Sequence, residues 1–344
     1  MQFRLVGHAL TSFVLLACAD DSSSPEAGQT SGSSSTHSGT TANDSDASGS
    51  GATTGSADST ETGEADDSGG TSSGGETGGV FPADTRIAFI RLVGGGYQTF
   101  VAEADGSGEV QLTDGTRSTL DVAWAPDGQR LTVSDGSVLR VIEDDGANPF
   151  DVMLPEPYVS VRRASWAPDN ETVVFDAGNG IYTTVAEPGS APAPLLIVNV
   201  NDGPEWSPDG SSIVYTRGIG TPGIDQDGVY LIDADGGNER LLTAVEWGQL
   251  TSAAWLRDGE TVVFNDRDEN GILQIYAVQS DGSGRRALTD EPFDVAAPRR
   301  CAEPDCAFVI EFGEDIESGA YRLNTVTGDL TLAVPDAILV VTVP

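Results

Sequence analysis

Trp206-Ser207-Pro208-Asp209-Gly210 is one copy of a phrase that recurs along this chain of 344 residues. The same pattern appears at Trp124–Gly128 and Trp166–Asn170, and in degenerate form at Trp255–Gly259. The tryptophans are 42, 40 and 49 residues apart. A period of about 40 to 50 residues with strand-like content is typical of β-propellers, in which each repeat forms one four-stranded blade.

Two further phrases support the same period. An apolar run leads into an acidic turn that ends in glycine at positions 106, 146, 189, 236, 282 and 328. A β-branched or aromatic run also occurs six times, and Ile213–Thr216 and Val262–Asn265 are clear copies. Short runs bounded by Asp-Gly or Pro-Asp turns indicate strands joined by hairpins. The sequence therefore predicts six blades.

The two ends of the repeat region complement each other. The first repeat begins at Arg86 without a preceding tryptophan strand, and the chain finishes with an extra apolar strand at Ala337–Pro344. If the last strand joins the first blade, no edge stays open between the first and last blades. We therefore predict an all-β fold over residues 83–344: a six-bladed β-propeller of four-stranded antiparallel blades, its ring closed by the C-terminal strand.

Together these phrases resemble the propeller repeats of the TolB family, a WD-repeat-like group. The positions that match are Trp206–Gly210, Ile213–Thr216, Tyr230, Asp233–Gly236 and Leu242-Thr243. The resemblance covers residues 83–344 and implies a binding scaffold more than a particular activity. TolB proteins carry a small α/β domain before the propeller, whereas this chain has a low-complexity tract there.

The first residues are interpreted as an export signal. Residues 1–17 combine Arg4 with an apolar run, and Leu15–Cys18 resembles the bacterial lipobox, in which the cysteine is acylated. An ordinary signal peptide, with Cys18 unmodified, is the alternative. Ala19 after the cysteine favours the outer membrane. We expect an exported protein that is lipid-anchored to the cell envelope through Cys18.

Residues 18–82 are predicted to be a disordered tether. They consist largely of Ser, Gly, Thr, Ala, Asp and Glu, and such a segment buries too little apolar surface to offset its ordering entropy. The role expected for it is to hold the propeller clear of the membrane.

The formal net charge of the chain is −37, and all 17 basic residues are arginines. The tether carries 11 of the 54 acidic residues and the signal carries one arginine, which leaves a net charge of −27 on residues 83–344. A field of this sign repels nucleic acid and anionic lipid headgroups. Such a field attracts cations and basic partners. In the alternative interpretation, the negative charge is only a consequence of the many Asp-rich turns.

The only two histidines, His8 and His37, precede the predicted propeller, and the chain has no lysine. These absences exclude a Ser-His-Asp triad, a histidine general base, a histidine-ligated metal site and a Schiff-base lysine in the propeller. A glycosidase mechanism that uses two carboxylates stays open, but the sequence does not single out a pair.

Asp266, Asp268 and Asn270 stand at positions 1, 3 and 5 of a calcium-like loop, with Gly271 at position 6. Position 12 is Ala277, where an EF-hand requires glutamate. An ordinary hairpin turn is the competing interpretation. No cofactor is expected apart from this candidate calcium ion.

Cys301 and Cys306 are the only cysteines of the predicted propeller. Aligning 301–310 with 255–264 places Cys301 in the position of a tryptophan, with Cys306 across the turn. In an exported protein we expect a local disulfide that staples a blade lacking its tryptophan.

The strand before each tryptophan should be innermost and line the central channel. Its polar residues are candidates for binding at the channel mouth: Asp121, Arg162, Arg163, Asp202, Glu205, Arg299 and Arg300. An arginine cluster suits an anionic ligand or a peptide carboxylate. In the alternative interpretation these arginines neutralise acidic neighbours across the channel.

Three functions remain in view. The first is a monomeric, non-catalytic scaffold that binds a protein or peptidoglycan-associated partner. The second is a carboxylate- or calcium-dependent enzyme acting on extracellular saccharide, and the third is a structural surface lipoprotein.

Overall fold

The structure is a computed structural model that describes residues 85–155, 160–178, 180–197, 202–218, 226–245, 252–312 and 317–344. The predicted signal peptide (1–17), the lipidation site Cys18 and the predicted tether (18–82) lie outside the described residues. Within those ranges no helix is long and apolar enough to cross a membrane.

The described strands form six sheets of four, which we number as blades 1 to 6 in chain order. Blade 1 contains β1 (Arg86–Val93), β2 (Gly96–Glu103), β3 (Val110–Gln111) and the last strand, β24 (Ala337–Thr342). Blade 2 contains β4 (Asp121–Trp124), β5 (Arg130–Ser134), β6 (Leu139–Glu143) and β7 (Phe150–Asp151). Blade 3 contains β8 (Val161–Trp166), β9 (Thr172–Ala177), β10 (Gly180–Val185) and β11 (Ala193–Leu196).

Blade 4 contains β12 (Asp202–Trp206), β13 (Ser212–Arg217), β14 (Gly228–Asp233) and β15 (Arg240–Ala244). Blade 5 contains β16 (Ala253–Trp255), β17 (Thr261–Arg267), β18 (Leu273–Gln279) and β19 (Arg286–Ala287). Blade 6 contains β20 (Asp294–Arg300), β21 (Cys306–Phe312), β22 (Gly319–Asn324) and β23 (Leu330–Pro335).

The C-terminal strand closes the ring. β24 pairs antiparallel with β1, and Phe89 lies opposite Val340 while Ile87 lies opposite Thr342. The inner strands contact one another in the order β4, β8, β12, β16, β20 and β24, and β24 contacts β4 again. The predicted six-bladed fold and its closure are confirmed. Outer edges remain, but β3, β7 and β19 have only two residues each, which limits their use as templates for edge pairing.

The recurring tryptophans are wedges between neighbouring blades. Trp206 of blade 4 packs in one cluster with Ala167 and Val174 of blade 3, and Trp255 of blade 5 packs with Val214 of blade 4. None of the four tryptophans is more than 6% exposed. Their indole N–H groups make no hydrogen bond within the described part of the chain, so these side chains stabilise the ring through apolar burial.

Arginines on the preceding blade cover two of these tryptophans. The guanidinium of Arg86 lies 5.2 Å from the ring centre of Trp124, and that of Arg130 lies 5.0 Å from the ring centre of Trp166. Arg130 also donates to the backbone oxygen of Asn170 at 2.6 Å. The blade contacts therefore combine apolar packing with cation–π attraction.

The acidic phrases build the turns. In each Trp-x-x-Asp phrase the aspartate oxygen accepts the backbone N–H two residues later, at 2.8–2.9 Å, and these aspartates are Asp127, Asp169, Asp209 and Asp258. The hydroxyl of Ser207 and the N–H of Ser211 hold the pKa of Asp209 below its usual value. The last residue of the phrase needs a positive φ, which is +72° at Gly210 and +63° at Asn170.

These turns define two faces of the ring. Each inner strand ends at its tryptophan phrase or at the corresponding turn, and we call that side the tryptophan face. Hairpins between the second and third strands of each blade, such as the one between β1 and β2, lie on the opposite side, which we call the hairpin face.

We expect ring closure to dominate stability. Val340→Asp places a carboxylate at a position that is 1% exposed, between blades 6 and 1, and should lower the free energy of unfolding by about 3 kcal/mol or more. Val326→Asp, at a position 71% exposed, is the matched control and should change it by less than about 0.5 kcal/mol. Urea unfolding checks both variants, and equal losses would contradict closure by β24.

Candidate functional site

The candidate site lies in the central channel, where the inner strands meet. Several of these strands are irregular. The register shifts between Val161 and Ala164 in β8, between Asp202 and Glu205 in β12 and between Ala296 and Arg299 in β20, and it also shifts where β24 pairs with Ile90 and Arg91. A β-bulge turns side chains away from the regular alternation. Two of the strands with shifts, β8 and β20, carry the channel arginines, and β12 carries Glu205.

Arg163 and Glu205 form a buried ion pair across blades 3 and 4. The distance from Arg163 Nη2 to Glu205 Oε2 is 2.7 Å, and both side chains are at least 93% buried. Arg163 Nη1 donates to the backbone oxygen of Ala253 at 3.1 Å and to the hydroxyl of Ser252 at 3.3 Å. Arg163 therefore links blades 3, 4 and 5.

Gly203 makes this pair possible. A Cβ atom at Gly203 would lie 2.1 Å from Cβ of Arg163, a distance that no side chain can accommodate. The absence of a side chain lets β8 and β12 approach closely enough for the arginine to cross the gap. No sequence pattern marks this glycine, because close approach between blades is a property of the folded ring.

Arg299 and Asp121 form a second pair across the channel, between blades 6 and 2. Their Nη2 and Oδ1 atoms are 3.1 Å apart. The other carboxylate oxygen of Asp121 accepts the backbone N–H of Ala164 at 3.3 Å. This geometry matches the alternative in which channel arginines neutralise acidic neighbours.

Arg300 has weaker partners. Its Nε atom is 3.9 Å from Oε1 of Glu205, and its Nη1 donates to the backbone oxygen of Trp206 at 3.3 Å. Glu205 Oε1 also accepts the backbone N–H of Trp255 at 3.2 Å. Burial lowers the pKa of Arg300 from its ordinary value, and the attraction of Glu205 offsets this only in part.

A small cavity joins these groups. It has a volume of about 50 Å³ and is lined by β4, β8 and the end of the chain at Pro344, together with Glu205, Arg299 and Arg300. Asp121 and Arg163 also line it, so three guanidinium groups face two carboxylates. By the space that one water needs, about 15 Å³, the cavity holds three or four water-sized positions. A sugar ring does not fit.

Of the other predicted channel residues, one has a described side chain and lies outside this cavity lining. Arg162 is half-buried on β8 next to Arg163. Asp202 begins β12, with its backbone opposite Thr216, and its side chain lies outside what the structure describes.

The calcium-like loop is a hairpin whose carboxylates already have donors. Asp266 is 3% exposed and pairs with Arg285 at 2.7 Å. Oδ1 of Asp268 accepts the backbone N–H groups of Asn270 and Ile272 at 2.9 and 2.8 Å. These contacts stabilise the turn between β17 and β18 and direct the two aspartates to different partners.

Cys301 and Cys306 form a disulfide, with Cα atoms 5.7 Å apart. The predicted alignment of Cys301 with the tryptophans is wrong by one residue. Trp255 lies opposite Val262 in blade 5, and the residue at the equivalent place in blade 6 is Arg300, opposite Ala307. The turns after Trp255 and Arg300 have equal lengths. In the repeated phrase proline comes two residues after tryptophan, whereas Pro304 comes four residues after Arg300, so a comparison of sequences misaligns this blade.

The side chain of Glu303 lies with these two cysteines in a group whose ligand atoms fall within 4.8 Å of one another. Its carboxylate pairs with Arg322, and both sulfurs are used by the disulfide. The group is therefore engaged in structural contacts.

A titratable carboxyl group lies on blade 6, toward the hairpin face. Burial, and then the charge of Glu291, raises the pKa of Glu311 to about 7, while a hydrogen bond with Tyr321 acts in the opposite direction. The pKa of Tyr321 is raised to about 12, chiefly by burial. Sequence reasoning could not find this group among 54 acidic residues.

Sequence comparisons give distant relatives. No protein-family model matches the chain. An uncharacterized protein of Agrobacterium fabrum is 26% identical over 199 residues, which are 56% of this chain and 66% of that protein. The uncharacterized peptidase YuxL of Bacillus subtilis is 29% identical over 104 residues, which are 30% of this chain but only 16% of that protein. The chain thus spans less than two thirds of the length of each.

Solved structures share the fold. TolB from Acinetobacter baumannii has a TM-score of 0.58 and 16% identity, over 77% of this chain and 69% of that one. A TolB protein from Agrobacterium tumefaciens has a TM-score of 0.55 and 18% identity, over 74% and 89%. An oligogalacturonate lyase solved with manganese has a TM-score of 0.52 and 16% identity, over 73% and 74%. The architecture is that of TolB-like propellers, and a lyase shares it.

The buried pair should show strong energetic coupling. We expect Glu205→Gln alone to lower the free energy of unfolding by about 3–5 kcal/mol, because it leaves Arg163 buried without its counter-charge. A double-mutant cycle of Arg163→Met with Glu205→Gln should give a coupling energy near 2 kcal/mol by urea unfolding. The control cycle, Arg140→Met with Asp151→Asn, involves side chains about half exposed and should give less than about 1 kcal/mol. Equal coupling in both cycles would argue against a buried channel pair.

Glu311 should make stability depend on pH. Its pKa of about 7 in the folded chain exceeds the ordinary 4.5, so folding favours the protonated carboxyl group. The resulting stability is present below pH 4.5 and is lost as the pH rises through 7. Because this group is partly solvated, Glu311→Gln should raise the free energy of unfolding by only about 1 kcal/mol at pH 8 and leave it unchanged at pH 4. Glu187→Gln, at an exposed position, should show no such difference, and a pH-independent effect of Glu311→Gln would refute the assignment.

Proposed function

We propose that this chain is an exported, lipid-anchored and non-catalytic β-propeller whose channel mouth, on the tryptophan face, binds a protein or peptidoglycan-associated partner. The observation that carries the proposal is the channel cavity. It gathers three arginines and two carboxylates in a domain whose net charge is otherwise strongly negative. A cluster of arginines in such a domain has no role in making turns, and it suits recognition of an acidic group.

The composition supports a binding role over a catalytic one. From residue 85 onward the sequence contains no histidine and no lysine, which removes the usual general bases and amine nucleophiles. The similarity to TolB propellers is compatible with a scaffold that presents one face to a partner. Acylation at Cys18 would tie that scaffold to the envelope, with the outer membrane favoured by Ala19.

One observation favours an enzyme as the second candidate. Glu311, with a pKa of about 7, has the carboxylate of Glu291 near enough to raise it, and a carboxyl group with a raised pKa is what a glycosidase uses as its general acid. The lyase among the structural neighbours acts on a saccharide by its name. Release of reducing ends from a polysaccharide by the wild-type chain, and its loss in Glu311→Gln, would favour this function over the scaffold.

Site-specific photo-cross-linking tests the scaffold proposal. A photoreactive benzoylphenylalanine at Pro344 or at Arg257, both on the tryptophan face, should capture the same partner in cells that make the full-length chain. The control position is Leu92, which is 56% exposed beside the β1–β2 hairpin on the hairpin face, and it should capture nothing specific. Cys18→Ser should release the chain from the membrane fraction and reduce the adduct, because the anchor concentrates it beside envelope partners.

Two results would contradict the proposal. The same photoreactive residue is placed at Met153 and at Ile197, which are exposed at the hairpin-face ends of outer strands. Adducts at these two positions only would place the partner on the hairpin face. No specific adduct at any position would favour the structural or enzymatic role.

A further inference from the structure

Arg300 differs from the other channel arginines in how its charge is balanced. Arg163 has Glu205 at 2.7 Å and Arg299 has Asp121 at 3.1 Å, whereas the nearest carboxylate oxygen to Arg300 is 3.9 Å from its Nε atom. That oxygen already accepts the backbone N–H of Trp255 at 3.2 Å. Glu205 therefore already accepts from two closer donors, Arg163 and the backbone N–H of Trp255, and is only a distant partner of Arg300.

The donors of Arg300 are also incompletely used. Nη1 donates to the backbone oxygen of Trp206 at 3.3 Å, and Nη2 makes no hydrogen bond with the described residues. The side chain is only 15% exposed, so bulk water does not solvate it fully. A guanidinium group presents its donors in a fork that matches the two oxygens of a carboxylate.

The surroundings of Arg300 add positive charge. Arg163 and Arg257 are the cations near enough to oppose its ionisation, and Glu205 is the anion that favours it. Among the described residues that line the cavity, the arginines outnumber the acidic side chains. Arg300 itself is buried with its nearest described carboxylate oxygen 3.9 Å away, which is costly for a charged group, and an anion that hydrogen-bonds to its guanidinium relieves that cost.

The size of the cavity limits the anion. A volume of about 50 Å³ holds three or four water-sized positions, enough for the three heavy atoms of one carboxylate group. The rest of the molecule that carries the carboxylate must then lie outside the cavity. The group must reach in from the tryptophan face, where Pro344 and the ends of β4 and β8 line the cavity.

We infer that the channel cavity is a binding site for a single carboxylate group, held by Arg300, and that this group is supplied by a small free acid or by the C-terminus of a peptide. The inference rests on the proposed binding function and assigns the chemistry of its ligand. It also explains why an arginine occupies the place in blade 6 that tryptophan fills in blades 2 to 5.

The negative charge of the domain should favour one of the two sources of the carboxylate group over the other. A free acid must cross the field of a domain with a net charge of −27, given by 43 acidic residues and 16 arginines. A peptide with basic residues before its terminus is attracted by the same field and still presents a carboxylate at its tip. Peptide binding should therefore be tighter than acetate binding and should weaken as salt is added.

The first measurement uses acetate as the probe. The full-length chain carrying Cys18→Ser, so that it is purified without detergent, is unfolded by heat in 100 mM sodium acetate and in 100 mM sodium chloride at pH 7. We expect a midpoint about 3 °C higher in acetate, the shift that a dissociation constant near 10 mM would produce. Titration of ¹³C-labelled acetate, followed by NMR, should saturate at one site per chain.

Three variants localise the effect. Arg300→Gln should abolish the acetate shift and leave the chain folded in chloride, because it removes a charge that is poorly compensated. Arg140→Gln makes the same charge change at a half-exposed surface position and should keep the full shift. Arg300→Lys retains the charge without the fork and should weaken acetate binding at least tenfold, so it serves as a second test if Arg300→Gln fails to fold.

The second measurement uses pooled octapeptides, Arg-Gly-Arg-Gly followed by four random residues, as free acids and as C-terminal amides. If the chain retains the free-acid peptides at least tenfold more than the amides, and Arg300→Gln abolishes this difference, the ligand is the C-terminal carboxylate of a peptide. An acetate effect without retention of free acids assigns it to a small acid.

The inference is overturned if the unfolding midpoints in acetate and chloride are equal and the free-acid and amide peptides are retained equally. It is also overturned if the acetate shift persists in Arg300→Gln. If the cross-link at Pro344 persists under those results, the partner-binding proposal stands and only the carboxylate assignment fails.

Discussion

The pairing of β24 with β1 is the constraint on which the rest of this structure depends. It joins residues about 250 positions apart and converts a row of blades into a ring, because the first blade has no inner strand of its own. Ring closure fixes the six inner strands around one axis. The channel, its ion pairs and its cavity all exist because β4, β8, β12, β16, β20 and β24 are held together there. An open row of the same blades would leave Arg299 far from Asp121, since these residues belong to blades 6 and 2.

The ring is stabilised by two separate devices. Apolar clusters between successive blades contain the buried tryptophans and aromatic pairs such as Phe175 with Tyr182, whose ring centres are 6.1 Å apart. Aspartates at the turns accept backbone N–H groups and set the reversal of the chain. The high acidity of the domain follows largely from these turns, since blades 1 to 5 each contain a turn in which an aspartate accepts a backbone N–H two residues later. The channel arginines belong neither to the apolar clusters nor to the aspartate turns, and for this reason we assign a function to them.

Much of the fold could be predicted from the sequence, because the repeated phrases report local physics. Trp206–Gly210 specifies a turn and a wedge by its residue types alone, and six copies of the strand phrase fix the number of blades. The channel was only partly predictable. The polar residues of the inner strands could be identified, but the Arg163–Glu205 pair depends on strand shifts and on Gly203, which appear only when β8 and β12 pack. Arg300 was included among the candidates, while its place in the tryptophan position was hidden by Pro304-Asp305.

Amide hydrogen exchange in β24 tests the central claim most directly. If β24 closes the ring, the amides of Leu339 and Val341, which face β1, should exchange only through global unfolding, with protection equal to that of Val263 in the centre of blade 5. Their opening free energies should then fall in parallel as urea is added. Exchange of Leu339 and Val341 that is hundreds of times faster than that of Val263, as expected for a frayed terminus, would show that the ring is open and would remove the basis for the channel site.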